Sequence, residues 1–325
     1  MTHESGLNSQ GERGTIMKTE IANPNQQDIN SGDKKMKRPK GTGPLAIMWR
    51  EIVKDKLALG SLILLGLVLV VVYGASLILD QEKIVTVDLL SIYAPPSAEH
   101  ILGTDYGGRD ILGQLIIGAK NSFTIGLFVT IVAGIIGLSI GLIAGYFGGK
   151  TDNVIMRIID FVLILPTLML IIVFVTIIPK YNVYTFILIM SAFLWTGKAR
   201  LIRSKTLAER ELDYVNASKT LGTPDWKIII REVLPNLSSI IIVNLTLNLA
   251  GNIGIESGLT YLGFGLPEST PSLGTLVSYA SNPDVLQNKW WIWLPASLLI
   301  LVLMLCINFI GQALKRAADA RQRLG

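Results

Sequence analysis

Ligands for metals and for redox chemistry are nearly missing from this chain. Its 325 residues include one cysteine, Cys306, and two histidines, His3 and His100. An intrachain disulfide is impossible, and a zinc site built from Cys and His lacks ligands. No histidine is placed with a serine or cysteine partner, and no acid pair sits in an apolar setting. The usual catalytic constellations are therefore absent too. Charge is also scarce: Asp, Glu, Lys and Arg make up 16% of the residues, against about 25% in soluble domains. Basic residues are not interleaved with aromatics, which removes the main sequence sign of a nucleic-acid surface.

Apolar residues fill the space. Half of the chain is hydrophobic and the mean hydropathy is +0.50. Six apolar stretches run at 57–79, 122–146, 158–178, 183–197, 236–256 and 291–311. The first has 23 residues and no charge, about 35 Å as a helix against a hydrocarbon core of ~30 Å. It is too long for a cleaved signal and reads as a retained anchor. The second is equally uncharged, and the third carries only Asp160. Asp160 lies one turn from Arg157, which suits an ion pair or, alternatively, a proton relay. The fourth is short unless Lys198 snorkels. Runs of this length are helices, because barrel strands are shorter and alternate. The expected fold class is an all-α integral membrane protein with six transmembrane helices over 57–311.

Charge sets the expected orientation. With these spans, 24 of the 29 Lys and Arg fall on the side of both termini and 5 on the other. The positive-inside rule then places the N- and C-termini in the cytoplasm of a multi-pass cell-membrane protein. The same asymmetry accounts for the pI near 9.2.

Residues 1–44 are polar and read as a disordered cytoplasmic tail, in which Met17 is an alternative start to Met1. Over 45–56, Leu45, Met48, Trp49, Ile52 and Val53 repeat at helical spacing, with Arg50, Glu51, Lys54 and Asp55 opposite. That pattern predicts an amphipathic helix in the cytoplasmic interface, or a simple continuation of the first span. Residues 312–325 are expected to form a cytoplasmic tail. The outer loop 80–121 contains Gly103, Thr104, Asp105, Arg109 and Asp110, a tight turn able to hold Arg109 between acids. The outer loop 257–290 is rich in Gly, Pro and Ser. Trp290, Trp291 and Trp293 stand at its end, where they predict an anchor at headgroup level.

Residues 144–151 imitate a relaxed phosphate-binding loop. They follow a membrane span and not a buried strand, so they read as a Gly-rich turn. The segment 198–235 is more informative. Its pattern predicts a helix over 204–221 ended by Gly222, then Thr223 as N-cap and Pro224 opening a second helix that stops before Pro235. Connections between helices need only two to eight residues as a rule, so this cytoplasmic hairpin suits a partner, or else lies idle on the surface. In the fifth span Asn244, Asn248, Asn252 and Glu256 recur every four residues. Polar groups in hydrocarbon cost about one to a few kcal/mol each unless they face protein or water. The stripe therefore lines a path or forms an interhelical seam.

Several of these residues together resemble a known family. Asn216-Ala217-Ser218, Gly222 and Glu232-Val233-Leu234-Pro235 resemble the EAA loop of ABC importer permeases. Residues 94–100 and 102–110 resemble the outer-loop signature of the second permease subunit of dipeptide and oligopeptide importers. Gly145 to Gly149, Asp152, Met156-Arg157, Asp160, Ala199-Arg200, Arg203, Tyr214-Val215 and 262–265 match that subunit's pattern as well. The resemblance runs from 45 to about 316. It departs at Asn216, where an acid is usual, at Ser218 for alanine, and at Gln312 for an acid.

The resemblance implies the ABC type I importer transmembrane-domain fold and a non-enzymatic subunit without its own cofactor. ATP and Mg would be bound by two partner ATPase subunits. A homologous second permease, an extracytoplasmic substrate-binding protein and a peptide cargo complete the expected partners in the lipid bilayer, with no nucleic acid. Tyr214, Asn216, Ala217, Ser218, Gly222, Leu234 and Pro235 would form the ATPase-coupling contact. Asn244, Asn248, Asn252 and Glu256 would line the translocation path, and Gly103, Thr104, Asp105, Arg109 and Asp110 would give outer-loop contacts. Close relatives carry nickel or another chelate instead of peptides, and an ion-coupled secondary transporter is the reading from another class.

Overall fold

The computed structural model describes residues 44–178 and 182–324, and the tail before residue 44 lies outside them. Among the described residues every regular element is helical, apart from one isolated bridge between Thr104 and Asp110. α1 (Pro44–Lys54) and α2 (Lys56–Ile78) meet at Asp55. Its carboxylate accepts from the amides of Leu57 and Ala58 at 2.9 and 3.3 Å and caps α2. A short α3 (Gln81–Val85) follows, and then Asp110 caps α4 (Ile111–Phe147) through the Gly113 amide at 2.8 Å. α4 has 37 residues, roughly 55 Å of helix. It thus carries the second apolar run across and extends it well into the outer loop.

The third run is not one straight helix. Pro166 has no amide proton and disfavours helical geometry at Leu165 before it. α5 (Gly149–Ile164) and α6 (Thr167–Ile177) consequently meet at 78°. The fourth run bends too. α7 (Val183–Leu194) and α8 (Thr196–Glu209) are offset by 45°, and Lys198 lies inside α8, not at the frayed end of a span. α9 (Asp213–Thr220) and α10 (Asp225–Ile228) form the hairpin, and α10 leads through a π turn at Ile229–Val233 into α11 (Leu234–Tyr261). α12 (Leu273–Ser278), α13 (Pro283–Asn288) and α14 (Trp290–Leu324) finish the chain. Four described helices are long and apolar enough to cross a bilayer, and counting each bent pair as one span gives six.

Small residues set the closest packing. Gly137, Gly141 and Gly145 lie one turn apart on α4, and α8 runs directly over them. A Cβ on Gly141 would sit 2.7 Å from the Ala199 carbonyl oxygen and 2.8 Å from the Ile202 Cβ. Lipid gives helices no hydrophobic reason to associate, so this backbone approach carries the contact. Gly141→Leu is expected to destabilise the protein by about 2 kcal/mol through overpacking. The apparent melting temperature in detergent should fall by several degrees, and an unchanged value would show that the seam can open without penalty.

The amphipathic stripe of α1 divides between a protein contact and open surface. Met48 and Ile52 are buried against Ala313, Leu314, Ala317 and Ala318 of α14, whereas Trp49 and Val53 stay exposed. α1 is therefore docked on protein along one edge and keeps apolar residues uncovered along the other. The expected C-terminal tail is instead a continuation of α14, held by an ion pair from Arg316 to Asp55. Of the three tryptophans only Trp290 is exposed. Trp291 packs against the outer loop, its indole N–H 3.4 Å from the Thr104 carbonyl, and Trp293 joins the buried cluster under it.

Candidate functional site

The hairpin is built from both ends. The expected helix over 204–221 breaks at Arg210, whose guanidinium turns back to the Gly145 and Tyr146 carbonyls at 3.3 Å, near the end of α4. Carbonyls near a helix end lack intrahelical partners, so a cation there is favourable. α9 then ends as the sequence predicts. The Gly222 amide donates to the Lys219 carbonyl at 3.0 Å, and the Thr223 amide to Ser218 at 3.1 Å, with Gly222 at φ +79°. That is a Schellman turn, whose left-handed residue favours glycine. Pro224 takes the cap position in place of Thr223, without a side-chain cap, and α10 starts one residue later than expected.

Pro235 does not end the second arm. A proline inside a regular helix costs a backbone hydrogen bond, and here the π turn just before it absorbs the defect, with Leu234 N–H reaching the Ile229 carbonyl. The two arms are clamped by Ser218, whose hydroxyl donates to Glu232 at 2.8 Å. An alanine at 218 would leave that contact unmade. The Tyr214 hydroxyl donates to Glu209 at 2.7 Å and accepts from Asn236 at 2.9 Å. Burial, with the Glu209 carboxylate beside it, pushes the Tyr214 phenol up to about 12. Asn216 and Ala217 face outward, and Asn216 makes only a backbone contact, to the Glu211 carbonyl at 3.2 Å.

What sequence reasoning missed is the apolar crown on this hairpin. Leu221 is 84% exposed and Trp226 58%, with Leu212 and Ile230 also exposed around the turn. A Cβ on Gly222 would meet no atom of this chain within 4 Å. The run 219–226 carries both crown residues and a glycine, which was the available signal. The arms' inner side, with Val215, Ile228 and Val233, is fully buried.

The polar stripe on α11 divides in two. Asn252 and Glu256 are buried in the seam with α4. The Asn252 amide donates to the Thr130 hydroxyl at 2.8 Å, and Glu256 accepts from Thr260 at 3.0 Å and Ser257 at 3.2 Å. Ser122 of α4 and Ser272 before α12 complete the ring of hydroxyls around that carboxyl. The Asn252 and Glu256 side chains are both buried within this chain. Asn244 and Asn248 are only half-buried, and the Asn248 amide donates to the Asn244 side chain at 2.9 Å. Asp160 pairs with Arg200 of α8, not with Arg157, because the bend turns α5 toward α8. Arg203 forms a two-point contact with Asp152 on the same pair of helices, one limb at 2.7 Å.

Outside, the turn over 103–110 is largely interior. Gly103, Thr104, Asp105 and Arg109 are buried within this chain, so they build the loop, and Asp110 caps α4. Asp105 accepts from the Gly107 and Arg109 amides at 2.8 and 3.0 Å and from Gln114 at 3.0 Å. A Cβ on Gly108 would lie 1.8 Å from the Asp88 carbonyl, which only glycine avoids. Arg109 does sit between acids, 3.7 Å from Asp105 and 3.7 Å from Glu268, but the second acid comes from the other outer loop. Tyr106 bonds Glu268 and stacks edge-on with Tyr279 at 5.4 Å, and burial raises both phenols. α12 is tucked into the bundle, with the Leu273 amide on the Ser122 hydroxyl at 3.1 Å. The two outer loops are thus stitched together.

Residues 137–324 match the family of binding-protein-dependent transport system inner membrane components. The chain is similar to the oligopeptide transport system permease protein of Lactococcus lactis subsp. cremoris (strain SK11). The two are 52% identical over 273 residues, covering 84% of this chain and 93% of that one. It is 33% identical over 278 residues, 84% of this chain and 94% of the relative, to the permease protein of the same name in Mycobacterium tuberculosis (strain ATCC 25618 / H37Rv). The dipeptide transport system permease protein of Bacillus subtilis (strain 168) is 35% identical over 277 residues, 85% of each chain.

Proposed function

The chain belongs to the family of binding-protein-dependent transport system inner membrane components, and from that premise we propose how it works as the membrane-spanning permease subunit of a peptide ABC importer. ATP is hydrolysed by two cytoplasmic ATPase subunits, and this chain is the part they move. Tyr214, Asn216, Ala217, Ser218, Gly222, Leu234 and Pro235 shape the hairpin they grip. Its exposed crown of Leu221 and Trp226 supplies the apolar contact, and this crown is the observation that carries the reading. An exposed apolar cluster on a rigid two-armed turn is costly in water unless a partner covers it.

Both termini and the hairpin lie in the cytoplasm on this reading, as the distribution of Lys and Arg favours. Asn244 and Asn248 face the path, where amides offer a peptide backbone both donors and acceptors. A homologous permease covers the face formed by α5, α6 and the Asp160–Arg200 pair, since half-exposed charges at that depth are unfavourable against lipid. A substrate-binding protein delivers cargo to the stitched outer loops.

The test is crosslinking in the assembled importer. With Cys306 replaced by Ala, a single cysteine at Leu221 is expected to crosslink to an ATPase subunit, with a yield that changes between ATP-bound and nucleotide-free states. Absence of any crosslink, with ATP-driven peptide uptake intact, would overturn the hairpin's role.

A further inference from the structure

Lys198 is the buried cation that the account above leaves unused. It is 6% exposed, and its ammonium donates to a single group, the Leu194 carbonyl at 2.8 Å, where α7 bends into α8. Of the other cations on α8, the half-buried Lys205 stands two residues beyond the matched pairs, Arg200 with Asp160 and Arg203 with Asp152. Among the described residues no carboxylate lies within ion-pair distance of Lys198. Its position is fixed by α4: the Lys198 Cβ lies 2.8 Å from where a Cβ on Gly137 would be, and Gly137 is about 15 Å of helix short of Phe147. An ammonium without a carboxylate partner is therefore buried about two to three turns back from the end of α4, where an ionisable group is expensive to keep and marks a functional site.

The space beside it is specific. Lys198, Asn244, Gly134, Leu138, Ile241 and Leu245 are among the walls of a crevice of about 10 Å³ between α8 and α11, room for about one water. Its lining includes one cation, from α8, and one side-chain amide, from α11, with apolar residues and α4 around them. Both walls run directly into the hairpin, α8 through Arg210 and α11 through the π turn. A displacement of the hairpin is thus delivered to the two sides of this crevice.

We propose that Lys198 with Asn244 forms a carboxylate site in the translocation path, closed here and opened when α8 and α11 separate, which receives the free C-terminal carboxylate of the cargo. The deduction rests on the peptide-import reading. A carboxylate accepts from the ammonium and from the Asn244 amide together, and the low-dielectric walls strengthen both contacts. When the helices close again, the Lys198 ammonium returns to the Leu194 carbonyl and the site lets go of its anion.

The experiment uses the complete importer in proteoliposomes, driven by ATP and supplied with the same loaded binding protein throughout. Uptake of a peptide with a free C-terminus is compared with uptake of its C-terminal amide, so any preference of the binding protein cancels between permease variants. Lys198→Gln is expected to raise the KM for the free acid about tenfold, the effect of one charge-assisted hydrogen bond. The amide should change by less than about twofold, and Lys198→Arg should restore the free acid. An equal loss on both peptides, or no loss on either, overturns the site and leaves Lys198 a helix-end cap. A wild-type importer that moves neither peptide overturns the import reading itself, and that result appears before any substitution is made.

Discussion

Gly222→Trp is expected to lower ATP-driven peptide uptake at least tenfold while the protein still inserts and assembles. The backbone at Gly222 has φ +79°, so any L side chain there adds roughly 1–2 kcal/mol of strain. Nothing of this chain stands within 4 Å of the new Cβ, so an indole has no internal clash to make. A larger loss must arise from whatever is seated on the turn. Gly222→Asn separates the two effects, because Asn tolerates the left-handed conformation and is small. Asn should retain most of the uptake and Trp little of it, with basal ATP hydrolysis persisting in both. Normal uptake by the Trp variant would show that the crown is not gripped.

Glu256→Leu should be the most destabilising single change in the bundle. The carboxyl is fully buried and is met by the hydroxyls of Ser122, Ser257, Thr260 and Ser272, from α4, α11 and the start of α12. Leu fills the volume and leaves those hydroxyls without their acceptor, at about 1 kcal/mol each and about 3 kcal/mol or more together. The apparent melting temperature of the detergent-solubilised protein should drop by about 10 °C. Glu256→Gln keeps an accepting oxygen and offers an amide to the hydroxyl lone pairs, so it should melt within a few degrees of the parent. A Leu variant as stable as the parent would mean that the ring of hydroxyls does not hold α12 in place.

The membrane spans were legible because their signal is additive: twenty or so apolar residues leave no other solution in lipid. Gly222 was legible for a local reason, since a helix stop needs a left-handed residue and the sequence offers one at the right place. The bends were less so. Pro166 marks the 78° break between α5 and α6, yet hydropathy alone reads straight through it. The stripe on α11 was correctly seen as one row, but a row does not say which of its members meets another helix. Asn252 and Glu256 found Thr130 and Ser122 far away in sequence, while Asn244 and Asn248 did not. The outer signature was legible only as a turn. Charges and glycines in a loop do not say which way they point, and here Asp105 is held by the Gly107 and Arg109 amides and Gln114 while Arg109 finds Glu268 on the second loop.

Between the hairpin and α11 the chain makes one wide turn, at Ile229–Val233. A helix advances about 100° per residue, so a wide turn behaves like a spare tooth in a screw thread. Were it to tighten into a regular turn, everything above would rotate by about that angle and rise by about 1.5 Å. A push from below would then be converted into torque, re-aiming the amides of Asn244 and Asn248 without melting the rod that bears them.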